Sequence, residues 1–85
     1  MFLTKKYTID LSILFAPHPA KLARLEEYIG KALEMCPPGA DATLTGAAPV
    51  WLYLKIAHAL HGRAKALYYE SPVAGKVEIF NHDPE

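Results

Sequence analysis

Cysteine occurs once in these 85 residues, at Cys36. A single thiol excludes an intramolecular disulfide and a zinc site built from thiolates. Net charge is missing too: nine basic residues balance nine acidic ones, and the pI lies near 6.9. Modules that grip duplex nucleic acid carry a basic surplus, so no duplex partner is expected. A small anionic ligand stays open, since it needs only a local cluster of donors. No apolar run approaches the ~20 residues of a membrane span. The opening MFLTKKYTID has no basic stretch followed by an apolar core, as a secretory signal would. No membrane partner is expected, and the expected location is the cytoplasm. Repeats, low-complexity tracts and linkers are lacking, as are G-x-S-x-G, P-loop and Rossmann glycine patterns.

What the chain has in excess is hydrophobicity, 52% of its residues. That is more than a small monomer needs, and it implies that some apolar surface belongs to an interface. The length fits one domain over residues 1–85.

Patterning gives the element order. Tyr7, Ile9, Leu11, Ile13 and Phe15 alternate with Thr8, Asp10 and Ser12, which predicts a half-buried strand over 7–15. APHP at 16–19 ends it. Leu22, Leu25, Ile29, Ala32 and Leu33 recur at helical spacing, and Lys21, Arg24, Glu27, Lys31 and Glu34 cover the outside. Two prolines in CPPG at 36–39 stop that helix. ATLT, 42–45, is a short strand. A second helix runs from about Ala48 to His61, closed by Gly62. Strands over 64–69 and 76–82 flank the turn SPVAG. The class is α/β, a single small βαβαββ domain with a mixed four-stranded sheet and two packed helices.

The second helix is nearly all apolar. Trp51, Lys55, His58 and Gly62 form one narrow stripe at 100° steps, and a sheet can cover only part of the rest. A two-fold homodimer with this helix near the axis is expected.

Few residues carry chemistry. TGAAPVW at 45–51 joins a strand end, a glycine and a helix start. Helix-opening N–H groups lack internal partners and favour anions, so this is an anion site in outline. The plainer alternative is that Gly46 only turns the chain and Pro49 only starts the helix. His58 and His61 share a helix side, yet that helix holds no acid, and too few ligands gather to expect a metal even with His82 and Asp83 added. As proton-transfer groups the histidines suit neutral pH; as structural groups, His58 fills a semi-polar position and His61 suits a helix end. Trp51 and Tyr53 offer stacking faces or core packing. His18 and Cys36 are given no chemical role.

GAAPVWLY at 46–53, IAHALH at 56–61, Tyr69 before a turn and a strand ending in Asn81-His82 together resemble the small CRISPR-associated ring nucleases. That family has a Gly-x-x-Pro-x-Trp-Leu segment opening a helix, a histidine within it, a Tyr-Asp-Pro-Arg-Leu-Gly turn and a strand ending in Ser-His. The likeness spans roughly residues 44–82, and Gly46–Leu52 is its most specific part. It implies a dimeric α/β protein that binds cyclic oligoadenylate, cyclic tetra-adenylate first, and linearises it to end type III CRISPR signalling. Where the family turn reads Asp-Pro-Arg, this chain reads Glu70-Ser71-Pro72. Glu70 keeps the acid; the arginine has no counterpart.

From this follow the expected site residues. Thr45, Gly46, Ala47, Ala48, Pro49, Trp51, Tyr69 and Glu70 hold the ligand; His58, Lys55 and His82 serve the chemistry. A two-fold dimer presents each group twice to a symmetric ring. Cleavage by a ribose 2′-hydroxyl on its own 3′-phosphate needs neither metal nor cofactor. His58 lies about 10 Å down the helix from Gly46–Val50, so a partner subunit must bring a histidine to the phosphate, and a higher assembly on ligand binding is compatible with this. The alternatives are a non-catalytic sponge and a dimeric interaction domain without ligand.

Overall fold

The computed structural model describes residues 5–82. Strand β1 spans Lys6–Asp10 and pairs in parallel with β2, Asp41–Thr45; β2 pairs in parallel with β3, Ala66–Ser71. The chain then reverses through a turn, and β4, Gly75–Asn81, runs antiparallel to β3. The sheet order is β1-β2-β3-β4. Helix α1, Leu25–Glu34, links β1 to β2, and α2, Val50–Leu60, links β2 to β3. Two right-handed crossovers stepping the same way put both helices on one face, where they pack on each other. This is the expected α/β class, element order and mixed four-stranded sheet with two packed helices.

One face of α2 makes the centre of the core. Leu52, Ile56 and Leu60 recur every four residues and are wholly buried against Ile9, Leu44 and Leu67 of the sheet. Among the described residues no helix covers the opposite face of the sheet. Lys6, Asp41, Thr43, Tyr68 and Lys76 line a shallow hollow there, and the Lys76 ammonium lies 4.7 Å from the Tyr68 ring centroid.

Several details differ from the pattern, among them β3, expected over 64–69 and found at Ala66–Ser71. β1 stops at Asp10, not Phe15, because β2 ends at Thr45 and offers no further partner. The Asp10 carboxylate accepts from the Ser12 N–H and hydroxyl, at 2.9 and 2.6 Å, and starts a short 3-10 turn over Leu11–Leu14. Period two gives way to period three: Leu11 and Leu14 are buried while Ile13 is exposed. Leu22 is exposed as well, in a 3-10 turn before α1. The buried anchor of α1 is instead Tyr28, whose hydroxyl accepts from the Lys21 N–H at 3.0 Å. Lastly, a bulge between Leu67 and Tyr68 leaves Ile79 of β4 without an opposite residue.

Candidate functional site

At the carboxyl ends of β2 and β3 the sheet opens into a cleft of about 780 Å³. One wall is the turn Thr45-Gly46-Ala47; the other is the β3–β4 turn, from Tyr69 and Glu70 through Ser71, Pro72 and Val73 to Gly75. In parallel sheets this end is where loops gather around ligands.

Gly46 has φ +103, a conformation open to glycine. A Cβ there would run into the Asp10 carboxylate, with Asp10 Cγ at 2.9 Å and Leu11 N at 3.2 Å. The backbone approach that demands glycine is therefore to Asp10, within the chain. Tyr53 fastens the same turn: its hydroxyl donates to the Gly46 carbonyl at 2.6 Å. Its ring stands edge-on to Tyr69, with centroids 5.1 Å apart and planes at 75°. Burial pushes the Tyr53 phenol up, helped by neighbouring Tyr69 and Asp10.

Pro49 caps α2 in an extended conformation. The Leu52 and Tyr53 N–H groups turn back onto its carbonyl at 3.1 and 3.3 Å. Val50 and Trp51 N–H have no preceding turn to bond and supply the open donors of the helix start. Among the described residues no lysine or arginine lines the cleft, and its charged side chain is Glu70. Behind the Tyr53–Tyr69 pair lies an apolar groove of about 270 Å³ between Leu54, Ala57 and Ile79.

Of the ligand-binding residues expected from sequence, Thr45, Gly46, Ala47, Tyr69 and Glu70 converge on the cleft. Ala48 and Trp51 do not; both pack half-buried against the core. Pro49 stands behind the turn as the helix cap. Ser71, Pro72, Val73 and Gly75 join the cleft without having been expected there, and Tyr53, expected from sequence as a stacking or core aromatic, lines it as well. Tyr53 sits in the first turn of α2, on the side that reaches back to the Gly46 carbonyl.

The residues assigned to catalysis lie elsewhere. Lys55 and His58 are exposed on α2, outside the cleft lining. His82 follows β4 at the opposite end of the sheet, where its N–H donates to the Lys65 carbonyl at 2.8 Å. It packs on Phe80 and edge-on to His61 with centroids 4.8 Å apart in both cases. At ~3.3 Å per residue the length of β3 separates these ends by about 16 Å. The far end also gathers Lys5, Arg63 and Lys65, whose backbones bond to Asp41, Gly39 and Ala40. Among the described residues no three His, Cys, Asp or Glu side chains come together to hold a metal. No helix among them is long and apolar enough to cross a membrane. Cys36 is buried and its thiol is pushed up by burial.

No family model, curated protein or solved structure matches the chain.

Proposed function

We propose that this chain is a homodimeric ring nuclease of the CRISPR-associated type, binding cyclic oligoadenylate, with cyclic tetra-adenylate as its first ligand. The observation that carries the reading is the cleft at the strand ends. It joins the glycine turn opening α2 to the Tyr69–Glu70 corner, the two segments on which the family resemblance rests. Phosphates face the open N–H groups of the helix start. Adenines stack on Tyr53 or Tyr69.

In the reaction, the ribose 2′-oxygen attacks its adjacent phosphorus and the P–O5′ bond breaks. A 2′,3′-cyclic phosphate and a free 5′-hydroxyl result, with one proton leaving the 2′-hydroxyl and one arriving at the 5′-oxygen. Histidine moves those protons and Lys55 steadies the developing charge. Because His58 and His82 lie away from the cleft of their own chain, they act in another copy's cleft.

A second reading has its own support: among the described residues the cleft lining contains no cation and no histidine, which suits a sponge that retains the ring uncut. Incubation with cyclic tri-, tetra- and hexa-adenylate, scoring retention and cleavage with and without EDTA, separates the two. Linear products with EDTA present establish the metal-free nuclease; retention without products establishes the sponge. Neither retention nor cleavage sinks both and leaves an interaction domain.

A further inference from the structure

The upper half of β4 is a strand without a roof. Val77 pairs with Tyr69, whose ring meets Tyr53 of α2, so Val77 points to the helix side. No helix covers it, and it remains 39% exposed. Ile79, freed from regular pairing by the bulge, turns toward Leu54 and Ala57 and is 48% exposed. Above them the flank of α2 shows Val50 and Leu54, 73% and 66% exposed. Four large aliphatics on two adjoining elements make one uncharged surface, and β4 is also the outer edge of the sheet, with no strand beyond it among the described residues. Edges of this kind pair with another strand.

Charge selects the partner. An edge strand that meets a copy of itself across a two-fold axis normal to the sheet pairs antiparallel, and opposed residues must share a face. The axis must then pass through a residue, not between two. Centred on Lys76 it opposes two lysines; centred on Glu78 it opposes two glutamates; at Ile79 the bulge has broken the strand. Centred on Val77, each Lys76 faces the Glu78 of the other copy, and both charged residues lie on the open face, opposite Glu70 and Tyr68 of β3.

We propose that two copies join along β4, antiparallel with Val77 on the axis, forming one eight-stranded sheet with the aliphatic flanks of the two α2 helices meeting above it. The proposal rests on the dimer reading above and not on the identity of the ligand. Its consequence is specific. The antiparallel arrangement lays the cleft end of one chain beside the histidine end of the other: the partner's Ile79 falls opposite Gly75, where the chain turns back to Ser71, and the partner's Phe80–His82 run on past the turn that rims the cleft. Each end of the dimer then holds one cleft beside the partner's histidine end, so a ring meets one cleft and not the paired groups expected from sequence.

The test is the solution state of exposed-residue variants, checked for unchanged melting. Wild type is expected to run as a dimer by light scattering at tens of micromolar. Lys76→Glu and Glu78→Lys each weaken dimerisation at least tenfold, and the double exchange restores it. Val77→Cys, treated with diamide as the two-electron oxidant, gives a covalent dimer on non-reducing gels, because an on-axis pair lies within disulfide reach; Val73→Cys, 95% exposed at the turn tip, does not. A monomeric wild type overturns both the dimer and the seam, and makes β4 an edge guarded by its charges. A dimeric wild type with no Val77→Cys crosslink and no response to the charge exchange overturns the seam alone. Retention of cyclic tetra-adenylate, scored separately, decides the ligand without bearing on either.

Discussion

The two ends of the sheet differ in what holds them and in what they offer. At the cleft end, the Gly46 turn is pinned by Asp10 from one side and by the Tyr53 hydroxyl from the other. The charged side chain among the described residues of the cleft is Glu70. At the far end Gly62 has nothing within 4 Å of a would-be Cβ, and imidazoles and cationic residues cluster around the end of α2. One end is built to place backbone; the other presents titratable side chains in solvent. A site assembled from both kinds of group needs two chains, since the strand length of one keeps them apart.

The largest expected effect tests that division directly. If the ring is cut, His82→Ala or His58→Ala lowers turnover by ~10²-fold or more with ligand retention unchanged. Mixing an inactive His82→Ala protein with an inactive cleft variant such as Tyr69→Ala regains activity through mixed dimers. Turnover measured in each protein and in the mixture decides it; no recovery on mixing places both groups in one chain's site.

Next comes the contrast between the glycines. Gly46→Val meets both the positive φ and the Asp10 carboxylate, and is expected to cost about 3 kcal/mol of stability. Weakened ligand retention in that variant then reflects the fold as well as the site. Gly62→Ala, in open space, is expected to change stability by no more than about 0.5 kcal/mol. Urea unfolding of the two measures the gap, and equal losses would mean the turn is no more constrained than the helix end.

Smaller is the effect of Tyr53→Phe. It removes one hydrogen bond to the Gly46 carbonyl and costs about 1 kcal/mol in the same unfolding measurement. An unchanged midpoint would show that the Tyr53–Tyr69 ring contact holds the turn unaided.

The smallest effect is read in acid. The Ser12 hydroxyl, then the Ser12 N–H, hold the Asp10 carboxyl below its ordinary value. A depressed folded value gives stability that is present above the unfolded value and lost as pH falls through the folded one. Ser12→Ala removes the stronger donor, so stability should fall less steeply below about pH 4. Unfolding midpoints between pH 2 and 6 check the slope.

Element order was legible because alternation, helical spacing and Pro or Gly punctuation all agreed, as around CPPG and Gly62. The early end of β1 was not, because Leu11, Ile13 and Phe15 continue the alternation while a local Asp10–Ser12 contact overrides it. Five of the eight expected ligand residues line the cleft because they sit at strand ends, which the crossovers fix. The position of His82 was readable in principle: a hairpin through SPVAG sends β4 back down the sheet, so its last residue must lie away from the turn. Nothing in the spacing announces the bulge that releases Ile79.

The burial of Cys36 gives the molecule a built-in clock. It is the chain's one thiol, with no exposed surface and a carbonyl tied to Arg63 from across the fold. A thiol reagent can reach it only when the packing around α1 and β2 opens, so the labelling rate, set against that of an unfolded peptide, reports the opening free energy without a chromophore or denaturant. Followed with and without cyclic tetra-adenylate, the same rate shows whether holding a ring at one end of the sheet slows breathing at the other.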